Sequence, residues 1–202
     1  MHKGLNKEKI VLGAIELLHK NAFQNFSVRT LAEHLDVKPA SLYKHFKSFD
    51  ELTIAVGLEV YEAFNRLQQQ QVSKATTRQK ALLNLSMAYS IFFQEHPNAY
   101  NLLLMLPKME NSELHKISEK FIEPVKNIIE LYKIDEESKL HWQRIYLATV
   151  VGFIVGVGSG VSACIAVNSE ESYRMAIMNI IAALESMERE QMGRADYLKM
   201  NI

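Results

Sequence analysis

The sequence predicts an all-α protein of about nine helices, with an N-terminal three-helix unit built around a helix-turn-helix and a larger helical region after it. Three observations on the 202 residues lead to this prediction. Apolar side chains recur at helical spacing along most of the chain, beginning with Ile10, Ala14, Leu17 and Leu18. Neither an alternating strand pattern nor an Asn-Gly hairpin signal occurs. Helix-capping sequences recur between the apolar runs and mark the helix ends.

Capping and proline signals place the helices in order. Ser48–Glu51 and Thr76–Gln79 have the capping-box pattern, a hydroxyl residue followed three positions later by Glu or Gln. Pro97 suits the first position of a helix, whereas Pro124 predicts a bend or a break. Asn168 is expected to cap the last helix. The expected helices cover 7–21, two short segments within 27–46, then 49–72, the stretch from the 76–79 box to about 95, 97–107, 111–132, 138–166 and 169–192.

Residues 27–46 have the pattern of two short helices joined by a tight turn. Ser27 is expected to cap the first of them, and Pro39 suits the first position of the second. Asp36 falls in the turn, where a left-handed backbone is expected, and Asp is one of the few residues other than Gly that tolerate it. The inward side chains are apolar or small and include Leu31, Ala32, Leu35, Val37 and Leu42.

The outward face of the second short helix carries cationic, hydroxyl-bearing and small side chains. Lysine binds phosphates or guanine edges, serine and histidine can do either, and an alanine methyl can meet a thymine methyl. Such a face is typical of a helix that enters the DNA major groove. An ordinary helical hairpin with a solvated basic face has the same pattern, so both interpretations stay open on the residues alone. The residues concerned are Lys38, Ala40, Ser41, Tyr43, Lys44 and His45, followed by Lys47.

Residues 5–58 resemble the N-terminal domain of the TetR family of bacterial transcription regulators. The resemblance is carried by KIVLGAIELLHKNAFQNFSV, VRTLAEHLDV and KPASLYKHFKSFDEL, and above all by the Leu-Tyr-Lys-His-Phe run that begins at Leu42. Two residues depart from the family pattern. Asp36 stands where Gly is usual in the turn, and Phe49 stands where a small or basic residue is more common.

The resemblance implies a DNA-binding domain at 1–48 and assigns roles within it. Residues at the start of the first motif helix are expected to contact phosphates or a groove edge, and those of the second helix to read bases. The tyrosine and the final lysine are expected to contact the phosphate backbone. The residues so assigned are Ser27, Arg29, Thr30, Lys38, Pro39, Ala40, Ser41, Tyr43, Lys44, His45 and Lys47.

For residues 49–202 the resemblance implies a helical domain that binds a small molecule and forms a homodimer through its last two long helices. A dimer is also a geometric requirement, because one short recognition helix reads few bases and two-fold symmetry places two of them about 34–36 Å apart. Glycines every four residues share a face that lets another helix approach closely. The expected interface residues are Gly152, Gly156, Gly160, Ile177, Ile181 and Leu184.

Large, adaptable side chains in the middle of this region are candidates for lining an effector pocket. An aromatic and methionine stripe at helical spacing is also what an ordinary core contains. His96 and Tyr100 flank Pro97 near a helix start and are the expected polar anchors. The candidate set is Tyr89, Phe92, Phe93, His96, Tyr100, Met105, Met109, Phe121, Trp142, Tyr146 and Phe153.

Composition agrees with a cytoplasmic DNA-binding protein. Residues 1–50 hold eight Lys and Arg against five Asp and Glu, a local charge of +3 within a neutral chain. Cys164 is the only cysteine, which fits a reducing compartment, and no signal peptide is expected. Residues 145–167 carry no charge, but their glycines and hydroxyls favour a buried helix over a membrane span.

Catalytic signatures do not occur. The sequence has no Gly-rich phosphate loop, no paired cysteines and no HExxH, so neither an enzyme, a metal site nor a cofactor is expected. The function expected is a repressor that binds a palindromic double-stranded DNA operator and is released by a small, largely apolar effector. The alternative is a helical adaptor that binds protein without binding DNA.

Overall fold

The computed structural model describes residues 4–20, 25–105, 112–160 and 165–200, with side chains throughout except at 112–119 and 194–200. Over these residues every regular element is an α-helix, which confirms the all-α prediction. Met109 and Cys164, both considered above, lie outside the described residues. The helices are α1 Lys7–Lys20, α2 Val28–His34, α3 Pro39–Leu42, α4 Phe49–Val72, α5 Arg78–Glu95, α6 Pro97–Met105, α7 Ser112–Ile129, α8 Glu136–Gly158 and α9 Ser169–Met200.

Most expected helix ends agree with the structure, and the differences have local causes. α5 is capped one residue later than predicted, because the Thr77 hydroxyl accepts the Lys80 N–H at 3.2 Å. α8 begins early because Asp135 caps it, accepting the Ser138 N–H at 2.9 Å. It ends at Gly158, shortly before Gly160 adopts a left-handed φ of 74°. α7 continues through Pro124, and α9 continues to Met200, beyond the expected 192.

The chain divides into two compact units by its internal contacts. The first unit comprises Met1–Arg66 and Phe92–Phe121, and the second comprises Leu67–Ile91 and Ile122–Ile202. The sequence predicts a different division, by function, into a DNA-binding domain at 1–48 and a ligand-binding and dimerisation domain at 49–202. That division stays a prediction.

In the first unit α1 packs against α2 and α6, and α2 packs against α3. Ile10, Leu31 and Phe64 are completely buried, and each such side chain stabilises the fold by about 1.5–3 kcal/mol relative to exposure. The Asn98 side-chain amide donates a hydrogen bond to the Leu18 carbonyl at 3.1 Å, at the end of α1.

In the second unit α8 packs against α9. Two buried tyrosines fasten the unit to α5: Tyr146 donates its hydroxyl to the Leu82 carbonyl at 2.7 Å, and Tyr173 to the Ser86 carbonyl at 2.9 Å. Arg78 pairs with Glu188, and its guanidinium stacks on the Tyr132 ring at 3.9 Å. These contacts join α5, α8 and α9 to one another and to the segment that follows α7.

Three of the expected interface residues are buried inside the protomer. Ile177, Ile181 and Leu184 are only 0%, 4% and 0% exposed. They form the stripe of α9 that packs within its own unit, and buried side chains add no accessible area to a subunit interface. Their helical spacing marks a core face, which sequence alone does not distinguish from an interface face.

α8 is the one described helix that is long and apolar enough to cross a membrane, judged by length and composition only. It is not the buried helix that was expected, since only 22% of its most apolar window is buried. Gln143, Tyr146, Val150 and Ile154 face the unit at helical spacing, so α8 is packed along one stripe. Elsewhere on α8 the apolar side chains of Leu140, Ile145, Val155 and Val157 are exposed.

Candidate DNA-binding surface

α2 begins at a reciprocal capping box. The Ser27 hydroxyl accepts the Thr30 N–H at 3.2 Å, and the Thr30 hydroxyl accepts the Ser27 N–H at 3.0 Å. The Thr30 hydroxyl also donates to the Asn25 carbonyl at 2.7 Å. The expected cap at Ser27 is thus confirmed, and both hydroxyls have internal partners that hold the start of α2.

The turn between α2 and α3 has the left-handed residue that the sequence indicates. Asp36 has a φ of 53°, the one positive value at a residue other than glycine within the described chain. The Val37 N–H donates to the Ala32 carbonyl at 2.9 Å and closes the turn. Leu31 and Ala32 are buried beneath it at 0% and 1% exposure, so the backbone strain at Asp36 is offset by packing.

The glycine that brings α1 against this turn was missed at the sequence level. A Cβ built on Gly13 would lie 2.4 Å from Cδ2 of Leu35, the residue that ends α2. Gly13 is an isolated glycine within a helical pattern, and such a position is a signal for close packing. The absence of a side chain at Gly13 thereby sets where the turn sits on α1.

α3 presents two chemically different faces. Pro39 occupies its first position, and Leu42 and Phe46 anchor the inner side at 2% and 3% exposure. The outer side carries the predicted residues: Lys38, Pro39, Ala40, Tyr43, Lys44 and Lys47 are exposed, and Ser41 and His45 are half-buried. Tyr43 exposes 53% of its area, so its ring and hydroxyl are accessible to a partner.

The cations of this surface are available to an anionic partner. Within the described part of the chain, no ion pair involves Lys38, Lys44 or Lys47. Arg29 pairs with Glu33 at 3.0 Å, but both side chains are largely exposed. Exposed pairs of this kind contribute little, so Arg29 can exchange Glu33 for a phosphate at small cost.

Glu51 fixes the junction between α3 and α4. Its carboxylate accepts the Lys47 N–H at 2.6 Å and the Lys7 ammonium at 3.2 Å, while its own N–H donates to the Ser48 hydroxyl at 3.1 Å. The Lys47 N–H is the principal cause that lowers the pKa of Glu51, followed by Lys7. The predicted capping box is present, with the Lys47 amide in place of the expected Ser48 amide.

The candidate effector residues fall in both units. In the first unit Phe92 and Tyr100 are buried, and Phe93, His96, Met105 and Phe121 are half-buried. The His96 ring stacks on His19 at 4.8 Å, and burial is the main cause that lowers its pKa. In the second unit Tyr89 and Tyr146 are completely buried, and Trp142 and Phe153 are half-buried.

Some buried polar atoms in both units have no hydrogen-bond partner among the described residues. They are the Tyr100 hydroxyl and His96 Nδ1 in the first unit, and the Tyr132 hydroxyl and both side-chain amide atoms of Gln68 in the second. Burial raises the pKa of Tyr132 to about 12 and that of Tyr100 well above its ordinary value, so both phenols are neutral donors. Across the described residues no group of three His, Cys, Asp or Glu is placed to hold a metal ion.

Known proteins share both the sequence of this surface and the fold. Residues 10–56 match the family described as bacterial regulatory proteins, tetR family. An HTH-type transcriptional regulator of Mycobacterium tuberculosis, Rv0681, is 25% identical over 158 residues, which cover 78% of this chain and 72% of the relative.

Two solved structures share the fold. BioQ bound to its double-stranded DNA operator superposes with a TM-score of 0.68 at 19% identity, covering 91% of this chain and 99% of BioQ. A variant of TetR from Acinetobacter baumannii, in complex with minocycline, superposes with a TM-score of 0.68 at 14% identity, covering 92% and 99%. The motif at residues 42–46 and the exposed cationic side of α3 lie within the matched residues. The chain is a member of the TetR family of transcriptional regulators, and its N-terminal helices form the DNA-binding domain.

Proposed function

We propose that this chain is a ligand-responsive repressor that binds a palindromic DNA operator as a homodimer and is released by a small, largely apolar effector. DNA contact is assigned to residues 1–48, and dimerisation and effector binding to 49–202. The protein acts in the cytoplasm, where its operator lies, and the proposed mechanism involves no catalysis.

The observation that carries the proposal is the division of α3 into a buried apolar side and an exposed cationic side. Leu42 and Phe46 fix the helix on the domain, and this leaves the Lys38, Tyr43 and Lys44 side chains directed outward. Two lysines and a tyrosine hydroxyl can bind phosphates, while Ala40 and Ser41 are small enough for close approach to base edges. The DNA complex of the structurally similar BioQ supports the same use of the fold.

The exposed face of α8 supports the homodimer. A Cβ added at Gly152, Gly156 or Gly160 would meet no atom of the described residues within 4 Å, so these positions leave room for another helix. Val155 and Val157 are 40% and 42% exposed on the same helix. On α9 the exposed residues Met175 and Met178 replace the buried isoleucines as interface candidates. A second copy seated on this apolar surface would remove it from water.

Unpartnered buried polar atoms beside aromatic rings support effector binding. In the first unit, Tyr100 and His96 carry such atoms close to Phe92 and Phe93. An apolar ligand with one or two hydrogen-bonding groups would satisfy them and fits the usual chemistry of such pockets. The minocycline complex of the TetR variant is one instance of a small molecule bound to this fold.

Release from DNA follows by linkage. Because α4 begins at Phe49, immediately after the recognition segment, a ligand that favours another position of α4 changes how the two recognition helices meet the operator. The ligand must then bind the DNA-free form more tightly, typically by about 1–3 kcal/mol.

DNA binding is tested by selecting duplexes from random DNA and measuring their affinities between about 50 and 200 mM salt. Lys44→Ala is expected to lower the affinity and to reduce the salt slope by about 0.9, the contribution of one phosphate contact. Tyr43→Ala is expected to weaken binding as well. Lys80→Ala makes the same charge change at an exposed position of the second unit and is expected to have no effect. Equal effects of Lys44→Ala and Lys80→Ala, or no selected duplex, would favour the protein-binding adaptor.

The homodimer is tested by sedimentation at several protein concentrations. Gly156→Leu is expected to dissociate the dimer while leaving the helical content unchanged, because the protomer leaves space at this position. An unaltered dimer would place the interface elsewhere.

A further inference from the structure

The first unit contains a groove that the DNA-binding role does not use. The groove has a volume of about 630 Å³ and lies between the first half of α1 and the first half of α4. This volume is within the range of about 300–1,000 Å³ that small-molecule sites occupy. The lining residues are Lys7, Glu8, Val11, Leu12, Phe46, Ser48, Asp50, Glu51, Ile54, Ala55, Leu58 and Glu59.

The groove has an apolar floor that remains partly open to solvent. Phe46 and Ile54 form its base at 3% and 7% exposure, while Leu12 and Leu58 stand at its sides with 49% and 36% of their areas exposed. Exposure of leucines to water on both walls of one groove is unfavourable. A bound apolar group would cover these side chains, and their burial would stabilise the complex.

The rim of the groove is acidic. Four carboxylates and one ammonium line it, which gives a net charge of −3. Glu8, Asp50 and Glu51 lie in the first turns of α1 and α4, where the helix dipole accounts for acidic residues. Glu59 lies in the third turn of α4, where the dipole offers no such reason. The rim therefore repels DNA and favours a positively charged occupant.

The chain itself shows how a cation is held at one end of the groove. The Lys7 ammonium lies 5.0 Å from the centre of the Phe46 ring and 3.2 Å from the Glu51 carboxylate. A ring face and a carboxylate together stabilise a cation better than either does alone in water. Three of the lining carboxylates, those of Glu8, Asp50 and Glu59, have no ion pair among the described residues, so their charge is available.

The size of the groove decides between classes of occupant. Its wall on α4 runs from Asp50 to Glu59, about 14 Å at the rise of an α-helix. That length accommodates one aromatic molecule but only about two and a half turns of a partner helix. We propose that this groove is a small-molecule site for apolar organic cations, in which the leucines and Phe46 hold the apolar body and the carboxylates hold the charge.

The proposal is tested on the full-length protein with tetraphenylphosphonium, an aromatic cation, and with tetraphenylborate, an anion of nearly the same size and shape. Calorimetry is expected to show that the cation binds and that the anion does not bind at this groove. The methyl resonances of Leu12, Ile54 and Leu58 are expected to shift with the cation alone, which locates the site independently of the aromatic residues in the rest of the protein.

Two variants separate the groove from general charge effects. Glu8→Gln combined with Glu59→Gln is expected to weaken cation binding about fivefold, as removal of two exposed charges does. Glu62→Gln changes an exposed carboxylate on the same helix outside the groove and is expected to change nothing. Unshifted methyl resonances, an equal response to the anion, or equal weakening by Glu62→Gln would each overturn the proposal. So would a basic amphipathic peptide that binds the groove when tetraphenylphosphonium does not, because the surface would then be a protein-docking site.

Discussion

Replacing Gly13 with alanine tests whether close packing of α1 sets the position of the helix-turn-helix. The added Cβ would lie 2.4 Å from Cδ2 and 3.2 Å from Cγ of Leu35. Real Cβ atoms do not approach carbon this closely, so either Leu35 must rotate or α1 must move. Leu35 ends α2 immediately before Asp36, and any displacement of its backbone changes the turn that carries α3.

The magnitude follows from two opposing terms. Alanine favours a helix interior over glycine by about 0.8–1.0 kcal/mol. Overpacking a buried site costs about 1–3 kcal/mol. Gly13→Ala should therefore lower the free energy of unfolding by between zero and about 2 kcal/mol. Gly193→Ala, on α9, has the same helix term but no atom within 4 Å of the new Cβ. The two variants should therefore differ in their free energies of unfolding by about 1–3 kcal/mol, which is the cost of the contact between the new Cβ and Leu35.

Thermal unfolding at one fixed protein concentration measures both variants, and a difference of 1 kcal/mol corresponds to about 2–4 °C in Tm for a chain of this size. The double variant Gly13→Ala with Leu35→Ala should recover part of the loss, since it removes the atoms that the Cβ meets. DNA affinity of Gly13→Ala should fall together with stability. Equal stabilisation by Gly13→Ala and Gly193→Ala would refute the reasoning, because Leu35 would then yield without cost.

Three further predictions concern the turn and the second unit. Asp36→Ala should be less stable than Asp36→Gly in thermal unfolding, because the φ of 53° costs an L-residue with a plain Cβ about 1–2 kcal/mol. Arg78 lowers the pKa of Glu188, so this pair stabilises the fold above the ordinary carboxyl pKa of about 4.5 and loses its effect as the pH falls below it. Glu188→Gln should therefore flatten the acid limb of a stability–pH curve, and an unchanged limb would contradict this assignment. Tyr146→Phe should lower the free energy of unfolding by about 1 kcal/mol, because the 2.7 Å hydrogen bond to the Leu82 carbonyl is lost.

The helix-turn-helix could be predicted from the sequence because its determinants are local. The cap at Ser27, the left-handed Asp36 and the proline that starts α3 each act within a few residues, and the structure has all three. The division of α3 into inner and outer sides follows from the same helical spacing. Gly13 was missed because its role depends on Leu35, a contact across 22 positions of sequence that no local pattern encodes.

The second unit was predicted less completely, because its apolar stripes have several uses. Ile177, Ile181 and Leu184 share a helical face, and only the fold reveals that this face is inside the protomer. The uncharged segment of α8 was expected to be buried, yet Gly152, Val155 and Val157 are exposed. A periodic apolar pattern identifies a face that avoids water without identifying what covers it.

The contacts of Glu51 have a mechanical consequence for how a regulatory signal can reach the operator. One carboxylate joins the start of α1, through Lys7, to the peptide that closes the recognition segment, through Lys47. A displacement of α4 should therefore move α1, the Lys47 peptide and α4 together as a rigid body. The geometry within the helix-turn-helix would then stay unchanged. A regulatory signal would then change only the orientation of the DNA-binding helices and would not require a conformational change within them.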